Sequence, residues 1–144
     1  PEIIDKVVQQ FEDNNVDYCG NTVPPETSKF PDGSDIEVFS MQALEKASTD
    51  VKDKHRREHV TFQFWQDINY SSSQYSQEKD WSKYRITVDY PEDFEVVSYI
   101  INELKNKCID GSLSEIINII DRNQKIKELN SKYSFGQGWK KEIL

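Results

Sequence analysis

The chain has 144 residues, of which 26 are acidic and 18 are Lys or Arg, so its formal net charge is −8. This length is typical of a single domain. The negative charge argues against nucleic acid and against an anionic membrane surface as partners, because both require a basic protein surface. No apolar run approaches the roughly 20 residues that span a bilayer, and residues 1–10 lack the basic and apolar regions of a secretory leader.

The two cysteines, Cys19 and Cys108, lie far apart in the sequence, and neither belongs to a Cys-x-x-Cys pair. So low a cysteine content is typical of buried or half-buried thiols in a reducing compartment. We therefore expect a cytoplasmic protein.

The first part of the chain is predicted to alternate helices and short strands. Apolar residues recur at helical spacing over residues 3–11, and Pro1 suits the first turn of that helix. Ser40 has the type and position of an N-cap, and Phe39 and Leu44 occupy the positions of a hydrophobic staple. The predicted elements are a helix that begins at residues 1–2 and ends near 13–15, a strand over 16–19, a loop over 20–33, a strand over 35–39, a helix over 41–48 and a charged connection over 49–57.

The second part of the chain is predicted to contain one more strand and several helices. The residues from 84 to 88 alternate in polarity, and Pro91 with its acidic neighbours indicates a helix start. Ser112 and Glu115 have the spacing of a capping box. Residues 59–65 fit a helix or an aromatic-rich strand, and the helix is favoured. The other predicted elements are a polar hairpin or excursion over 69–83, a strand over 84–88, a helix from 91 with Phe94, Val97, Ile100, Ile101 and Leu104 on one face, and helices over 113–120 and 123–129.

Three short strands with helices between them indicate an α/β protein. A sheet of three short strands gives thin support for a self-contained α/β domain. We therefore expect this sheet to be part of a larger one.

Asp89 is the first candidate site residue, because it lies where a predicted strand ends and a predicted helix begins. In open α/β sheets ligands bind beside the carboxyl ends of strands, and a carboxylate there can hold a Mg²⁺ ion that bridges substrate phosphates. The same carboxylate would also stabilise the helix N-terminus through the helix dipole. The spacing alone leaves both interpretations open.

Asp35 and Glu37 form a second candidate site, with two carboxylates on one face of a predicted strand beside a turn. Such a pair can hydrogen-bond sugar hydroxyls or bind a cation. The pattern is equally typical of the solvated outer face of a strand.

Residues 55–59 read His-Arg-Arg-Glu-His and form a third candidate site. The spacing of His55 and His59 brings both rings to one helical face, but zinc needs a third ligand and neither cysteine is near in the sequence. Arg56, Arg57 and His59 instead favour recognition of an anion, since guanidinium groups match phosphate and carboxylate. A solvated, salt-bridged surface turn has the same pattern.

Aromatic residues are concentrated in the polar middle of the chain. Aromatic side chains are enriched at protein interfaces, so the pattern predicts a homodimer contact, while ordinary core packing explains it equally well. No Gly-rich phosphate loop is visible in the sequence. The aromatic residues in question are Trp65, Tyr70, Tyr75, Trp81 and Tyr84.

Several motifs occur in a fixed order between residues 1 and 130. Residues 30–40 read Phe-Pro-Asp-Gly-Ser-Asp-Ile-Glu-Val-Phe-Ser, residues 57–61 read Arg-Glu-His-Val-Thr, and residues 88–93 read Val-Asp-Tyr-Pro-Glu-Asp. In this order and spacing they resemble the C-terminal part of the spore-coat polysaccharide biosynthesis cytidylyltransferase family. That family is related to the enzymes that make CMP-activated sugar acids.

The resemblance implies a fold and a reaction. The implied fold is that of the nucleotide-diphosphosugar transferases, a Rossmann-like, mostly parallel sheet flanked by helices, over residues 1–130, with 131–144 as a surface tail. The implied reaction is Mg²⁺-dependent transfer of CMP from CTP to a hydroxyl of a sugar or sugar acid, with release of pyrophosphate. Its implied role is the synthesis of a surface polysaccharide or glycan.

The resemblance also implies roles for individual residues. Asp89 matches the late aspartate of the family, which looks like a catalytic metal ligand. Asp35 and Glu37 correspond to residues on the sugar side, and Arg57 with His59 corresponds to the wall of the sugar pocket or to a dimer contact.

The phosphate-binding loop of the family and its other metal-binding aspartate precede the matched part and have no counterpart in this sequence. We therefore expect the chain to be the C-terminal part of a longer enzyme and to be inactive alone. The alternative is a non-catalytic sugar-binding or dimerisation module.

Overall fold

The computed structural model describes residues 1–107 and 111–137. Helices and a small sheet alternate along these residues, with a short 3-10 turn at Pro25–Thr27. The helices and strands are α1 (Glu2–Asn14), β1 (Tyr18–Gly20), β2 (Glu37–Phe39), α2 (Met41–Asp50), α3 (Lys54–Glu58), α4 (Phe62–Gln66), β3 (Ser72–Gln74), α5 (Pro91–Lys107), α6 (Leu113–Asp121) and α7 (Gln124–Leu129).

The sheet has the strand order β2-β1-β3. Strand β1 is antiparallel to β2, with Tyr18 opposite Phe39, and parallel to β3, with Tyr18 opposite Ser72. The α/β class is therefore confirmed. The sheet of the described residues has one antiparallel and one parallel pair, and a mostly parallel Rossmann-like sheet is not seen in this part of the chain.

The third strand lies at Ser72–Gln74, and the predicted strand over residues 84–88 is wrong. The region 84–88 makes a single bridge, between Arg85 and Asp32, in which the Asp32 N–H donates to Tyr84 and the Ile86 N–H donates to Asp32. Tyr84 and Arg85 are both buried although they are consecutive, so the side chains do not alternate as they do in a half-buried strand.

The described helices pack on the sheet and on one another in two apolar clusters. The first cluster lies between the sheet and α2 and α4, where the Phe64 ring contacts Tyr18, Phe39 and Tyr70 at centroid distances of 5.9, 5.4 and 5.2 Å. Helix α1 contacts all three strands. The second cluster joins α5, α6 and α7 around Tyr84, Val96, Ile100, Ile117, Ile119 and Ile120.

Helix α5 buries a face that overlaps the predicted one. Ile100 is buried and Leu104 packs against the second cluster, as predicted, and Val96 is buried as well, whereas Phe94 is 63% exposed and Ile101 is 44% exposed. The buried face is shifted toward Asp93, which lies in the first turn and is completely buried. A buried residue at position 93 brings positions 96 and 100 to the same side at helical spacing.

The aromatic residues of the middle of the chain take part in core packing. Tyr70 and Tyr84 are buried, Trp65 packs against the first cluster, and Trp81 packs against the second. These contacts account for the aromatic pattern without an interface. A homodimer stays a prediction.

The predicted helix caps are confirmed. Ser40 accepts a hydrogen bond from the Ala43 N–H, and Ser112 and Glu115 form a complete capping box. Asn123 caps α7 through the Ile126 N–H. Each such cap satisfies a backbone donor that the helix itself leaves unpaired.

Cys19 is buried, as expected for a core thiol, and Cys108 lies outside the described residues. Within the described ranges, none of the helices combines the length and the apolar composition that crossing a bilayer requires.

Gly33 allows the loop before β2 to lie against the region 84–88. Its φ is +93°, and a Cβ built on it would lie 2.3 Å from the Thr87 backbone nitrogen. Any larger residue would therefore have to push these two backbone segments apart. This close approach places Asp32 beside Arg85.

We predict that Gly33→Ala lowers the free energy of unfolding by at least about 1–3 kcal/mol, because it adds backbone strain and a clash with Thr87. The matched control is Gly111→Ala, whose Cβ would meet Leu104 at an ordinary 3.5 Å. Chemical denaturation followed by circular dichroism measures both variants. Equal stability of the two variants would contradict the close approach of Gly33.

Candidate functional site

A cleft of about 260 Å³ brings together the loop before β2, the start of α4, the region 87–89 and the C-terminal segment. Three of the predicted site residues, Asp35, Glu37 and Asp89, line it together with Asp32. The remaining walls are formed by Thr61 and Thr87, by Phe62 and Phe135, and by Val23 and Gly136. We refer to it as the carboxylate cleft.

Arg85 lies beneath the carboxylate cleft and is 6% exposed. Its guanidinium Nη1 donates to Asp32 Oδ2 at 2.5 Å, and Nη2 donates to Asp89 Oδ2 at 2.6 Å. Its Nε and Nη2 also donate to the two oxygens of Asp93, each at 3.0 Å. One guanidinium therefore holds three carboxylates, of which Asp32 and Asp89 face the cleft.

Asp93 anchors Arg85 from the side away from the cleft. The side chain of Asn130 donates to Asp93 Oδ1 at 2.9 Å and to the Arg85 carbonyl at 3.1 Å. The backbone N–H groups of Asp89 and Tyr90 donate to Asp93 Oδ2 at the N-terminus of α5. Asp93 thus caps the helix and orients the guanidinium at the same time.

The predicted surface tail reaches the cleft in its described part, residues 131–137; residues 138–144 lie outside the described residues. The Tyr133 ring stacks on Tyr90 at a centroid distance of 4.0 Å, and its hydroxyl donates to Glu92. Further along, the Gly136 N–H donates to Asp32 Oδ2 at 3.0 Å. Asp32 Oδ2 therefore accepts from Arg85 and from the C-terminal segment.

The carboxylates of the cleft differ in their electrostatic environment. Burial raises the pKa of Asp32, and the carboxylates of Asp35 and Asp89 raise it further, while hydrogen bonding to Gly136 and the charge of Arg85 act in the opposite direction. Burial also raises the pKa of Asp93, but its hydrogen bonds from Arg85 and Asn130 outweigh burial and leave the pKa below its ordinary value. Asp93 is therefore the firmly ionised partner of Arg85.

Asp35 and Glu37 are held by neutral donors. The Thr22 hydroxyl and the Gly33 N–H donate to the two oxygens of Asp35 at 2.6 and 3.1 Å. Glu37 Oε1 accepts from the Tyr18 hydroxyl at 2.6 Å and from Thr61 at 2.9 Å. Burial is the largest cause that raises the pKa of Tyr18, followed by the charge of Glu37, so Tyr18 remains a proton donor.

Arg57 does not line the carboxylate cleft. Its Nη1 donates to the carbonyls of Ser48 and Val51 at the end of α2, and it lines a separate pocket between α2 and α4. These bonds satisfy carbonyls that a helix C-terminus leaves unpaired. The structure thus separates Arg57 from Asp35 and Glu37.

His59 lies one residue layer behind the cleft. Its ring stacks on Phe62 at 4.6 Å, and Phe62 forms part of the cleft wall. His59 therefore contacts a residue of the cleft wall, Phe62, and does not itself line the cleft. Among the described residues, no Lys, Arg or His side chain lines the carboxylate cleft.

Sequence reasoning missed the charged network and the C-terminal contacts of the site, among them Asp32, Arg85, Asp93, Tyr133 and Gly136. One signal in the sequence points to part of this set: Arg85, Asp89 and Asp93 follow one another at four-residue spacing. The contacts of Asp32 and Gly136 span 53 and 104 residues, and no local pattern reports them.

The residues present fit a hard divalent cation. Carboxylate oxygens are the ligands that Mg²⁺ prefers, and it commonly takes only one or two carboxylates from a protein. Asp89 and Asp32 offer this chemistry at the cleft, each with one oxygen held by Arg85. Within the described ranges, no group of three or more His, Cys, Asp or Glu side chains forms a complete metal cage.

Comparisons with known proteins give one relative and one solved structure; no family model matches the chain. The chain is 33% identical over 133 residues to the uncharacterized protein MJ1063 of Methanocaldococcus jannaschii, and the match covers 90% of this chain and 51% of that protein. A cytidylyltransferase from Leptospira borgpetersenii serovar Hardjo-bovis has a TM-score of 0.75 and 28% identity, and the match covers 87% of this chain and 52% of that chain.

The fold is therefore cytidylyltransferase-like, and the chain spans about half the length of each protein that it matches. The structural similarity supports the general part of the resemblance inferred from the sequence motifs, namely that the chain is cytidylyltransferase-like.

Asp93 generates a prediction about acid stability. Because its pKa is lowered in the fold, its contribution is present above the ordinary carboxyl value of about 4 and is lost as the pH falls through the folded pKa. Asp32, whose pKa is raised, contributes in the opposite direction. We expect Asp93→Asn to cost about 3–5 kcal/mol at pH 7, since it breaks a buried pair, and to flatten the loss of stability below about pH 4.

Urea unfolding between pH 3 and 7 measures this effect, with the exposed Asp13→Asn as the control. A wild-type pH profile that is retained in Asp93→Asn would show that Asp93 is not the ionised anchor of Arg85.

Proposed function

We propose that this chain is the C-terminal, sugar-side part of a nucleotidyltransferase that transfers CMP from CTP to a sugar or sugar acid. The observation that carries the proposal is the carboxylate cleft, which lies in a chain with a cytidylyltransferase-like fold. The spore-coat type of cytidylyltransferase, acting in the synthesis of a surface polysaccharide or glycan, is the family that the sequence motifs favour.

In the proposed reaction a sugar hydroxyl attacks the α-phosphorus of CTP. The new bond joins the sugar oxygen to this phosphorus, the bond to the β-phosphate oxygen breaks, and pyrophosphate leaves. The hydroxyl proton passes to a base or to water. Charge develops on the phosphate oxygens, so the site must neutralise it.

Asp89 is the residue that would hold Mg²⁺. When bound, the ion supplies neutralisation of the phosphate charge and helps to orient the triphosphate. Asp89 suits this role because its carboxylate is part of the cleft wall while one of its oxygens is fixed by Arg85.

Asp35 and Glu37 are proposed to accept hydrogen bonds from sugar hydroxyls. Both carboxylates line the cleft, and Thr61 and Thr87 line it as well. Phe62 and Phe135 add apolar surface on which a sugar ring can pack. Arg57 and His59 would act on this pocket only indirectly, or at a dimer contact.

The first test uses the protein encoded by the complete reading frame, CTP, Mg²⁺ and a panel of sugars and sugar acids. We expect pyrophosphate release, and we expect Asp89→Asn to lower turnover by at least about 100-fold while the fold is retained. The matched control is Asp80→Asn, an exposed aspartate that bonds Ser82 outside the cleft.

An unchanged rate in Asp89→Asn would remove Asp89 from the metal site. Failure of the wild-type protein to release pyrophosphate with any sugar would contradict the proposed function and favour a sugar-binding or dimerisation module.

The second test uses the 144-residue chain alone. Because no Gly-rich loop that could cradle a triphosphate is visible in this sequence, we expect neither turnover nor tight CTP binding. Calorimetry with CTP and Mg²⁺ measures the affinity. Micromolar binding by the chain alone would show that it carries a nucleotide site of its own.

A further inference from the structure

Arg85 makes more contacts to carboxylates than charge neutralisation requires. It carries one positive charge, and it hydrogen-bonds Asp32, Asp89 and Asp93. Asp93 alone would neutralise it through the two-point contact that matches a guanidinium to a carboxylate. The contacts to Asp32 and Asp89 therefore need another explanation.

The geometry of these contacts sets the spacing of two carboxylates. Asp32 Oδ2 is bound to Nη1 and Asp89 Oδ2 to Nη2, and these two nitrogens belong to one planar group. Asp32 and Asp89 are 57 residues apart in the sequence. The guanidinium is thus a rigid bridge that orders both side chains along the same wall of the cleft.

The Arg85 guanidinium is itself fixed by residues that do not line the cleft. Asp93 is completely buried, and its two oxygens fix Nε and Nη2 of Arg85. Asn130, which is also buried, ties Asp93 to the Arg85 carbonyl. Locking of this kind is what keeps ligand side chains in place at metal sites.

We propose that Arg85 is the positioning residue of the carboxylate cleft: held by Asp93 and Asn130, it orients Asp89 and Asp32 as a pair toward a divalent cation. This inference rests on the proposed function, which assigns Asp89 to the cation. It adds Asp32 as the second carboxylate from this chain and Arg85 as the residue that places both.

The alternative is that Arg85 serves only as a buried counter-charge. A counter-charge role depends on the number of charges, whereas a positioning role depends on their geometry. Two substitutions keep every charge and change the geometry. Arg85→Lys replaces the planar fork by a point charge, and Asn130→Ala removes the two hydrogen bonds that hold the Asp93 and Arg85 pair.

The test measures Mn²⁺ binding to the protein encoded by the complete reading frame, with Mn²⁺ alone as the probe. Electron paramagnetic resonance gives the concentration of unbound Mn²⁺, and paramagnetic broadening of backbone amides locates the bound ion. We expect broadening around residues 32, 89 and 136. We expect Arg85→Lys and Asn130→Ala to weaken binding by about 10-fold or more, as is typical of outer-shell partners.

The matched control is Asn123→Ala, which removes a cap at the other end of α7 and leaves the Arg85 contacts in place. We expect its Mn²⁺ affinity to equal that of the wild type. Asn130→Ala also keeps the test decisive if Arg85→Lys does not fold.

Wild-type affinity in folded Asn130→Ala or Arg85→Lys would overturn the positioning role, and so would Mn²⁺ broadening that spares residues 32 and 89. These readouts do not depend on turnover. The two proposals can also fail separately. If the wild type binds Mn²⁺ and both variants bind it more weakly, but the wild type releases no pyrophosphate, the proposed function is contradicted and the role of Arg85 is supported.

Discussion

The buried guanidinium of Arg85 is the interaction on which the site depends. A charge in a protein interior is costly unless hydrogen bonds and opposite charges surround it, and here three carboxylates do so. Removing Arg85 would leave the buried Asp93 carboxylate uncompensated, and removing Asp93 would take away the two-point partner of the guanidinium. The arrangement therefore ties together the loop before β2, the start of α5 and the segment after α7, which are distant in the sequence.

The same interaction explains why the buried face of α5 is shifted from the predicted one. The observed face keeps Ile100 from the predicted face, but it includes Val96 and leaves Phe94 and Ile101 exposed. Burial of Asp93 against Arg85 favours this shifted face. A prediction from hydrophobic periodicity takes only apolar residues into account when it assigns the buried side of a helix. In this helix the buried side also depends on a charged residue.

The sequence predicted helix caps well and distant pairings poorly. The caps at Ser40 and Ser112 follow from short-range hydrogen bonds, so their residue types report them directly. Strand β3 is Ser-rich and is held by backbone pairing to β1, so it has no apolar alternation to read. Among the site residues, Asp35, Glu37 and Asp89 were predicted and do line one cleft. Arg57 was placed with them by resemblance, but its guanidinium binds the carbonyls at the end of α2 instead.

The distribution of charge around the cleft gives the net charge of −8 a local meaning. Four carboxylates line the cleft, and the one guanidinium that contacts two of them lies beneath its wall. Burial and the neighbouring carboxylates of Asp35 and Asp89 raise the pKa of Asp32, because the cleft holds these negative charges close together. Such crowding costs stability, and proteins retain it where a cation or a hydrogen-bond donor completes the site. The cleft thus gathers four of the 26 acidic residues of the chain on one surface, which a cation or a hydrogen-bond donor would complete.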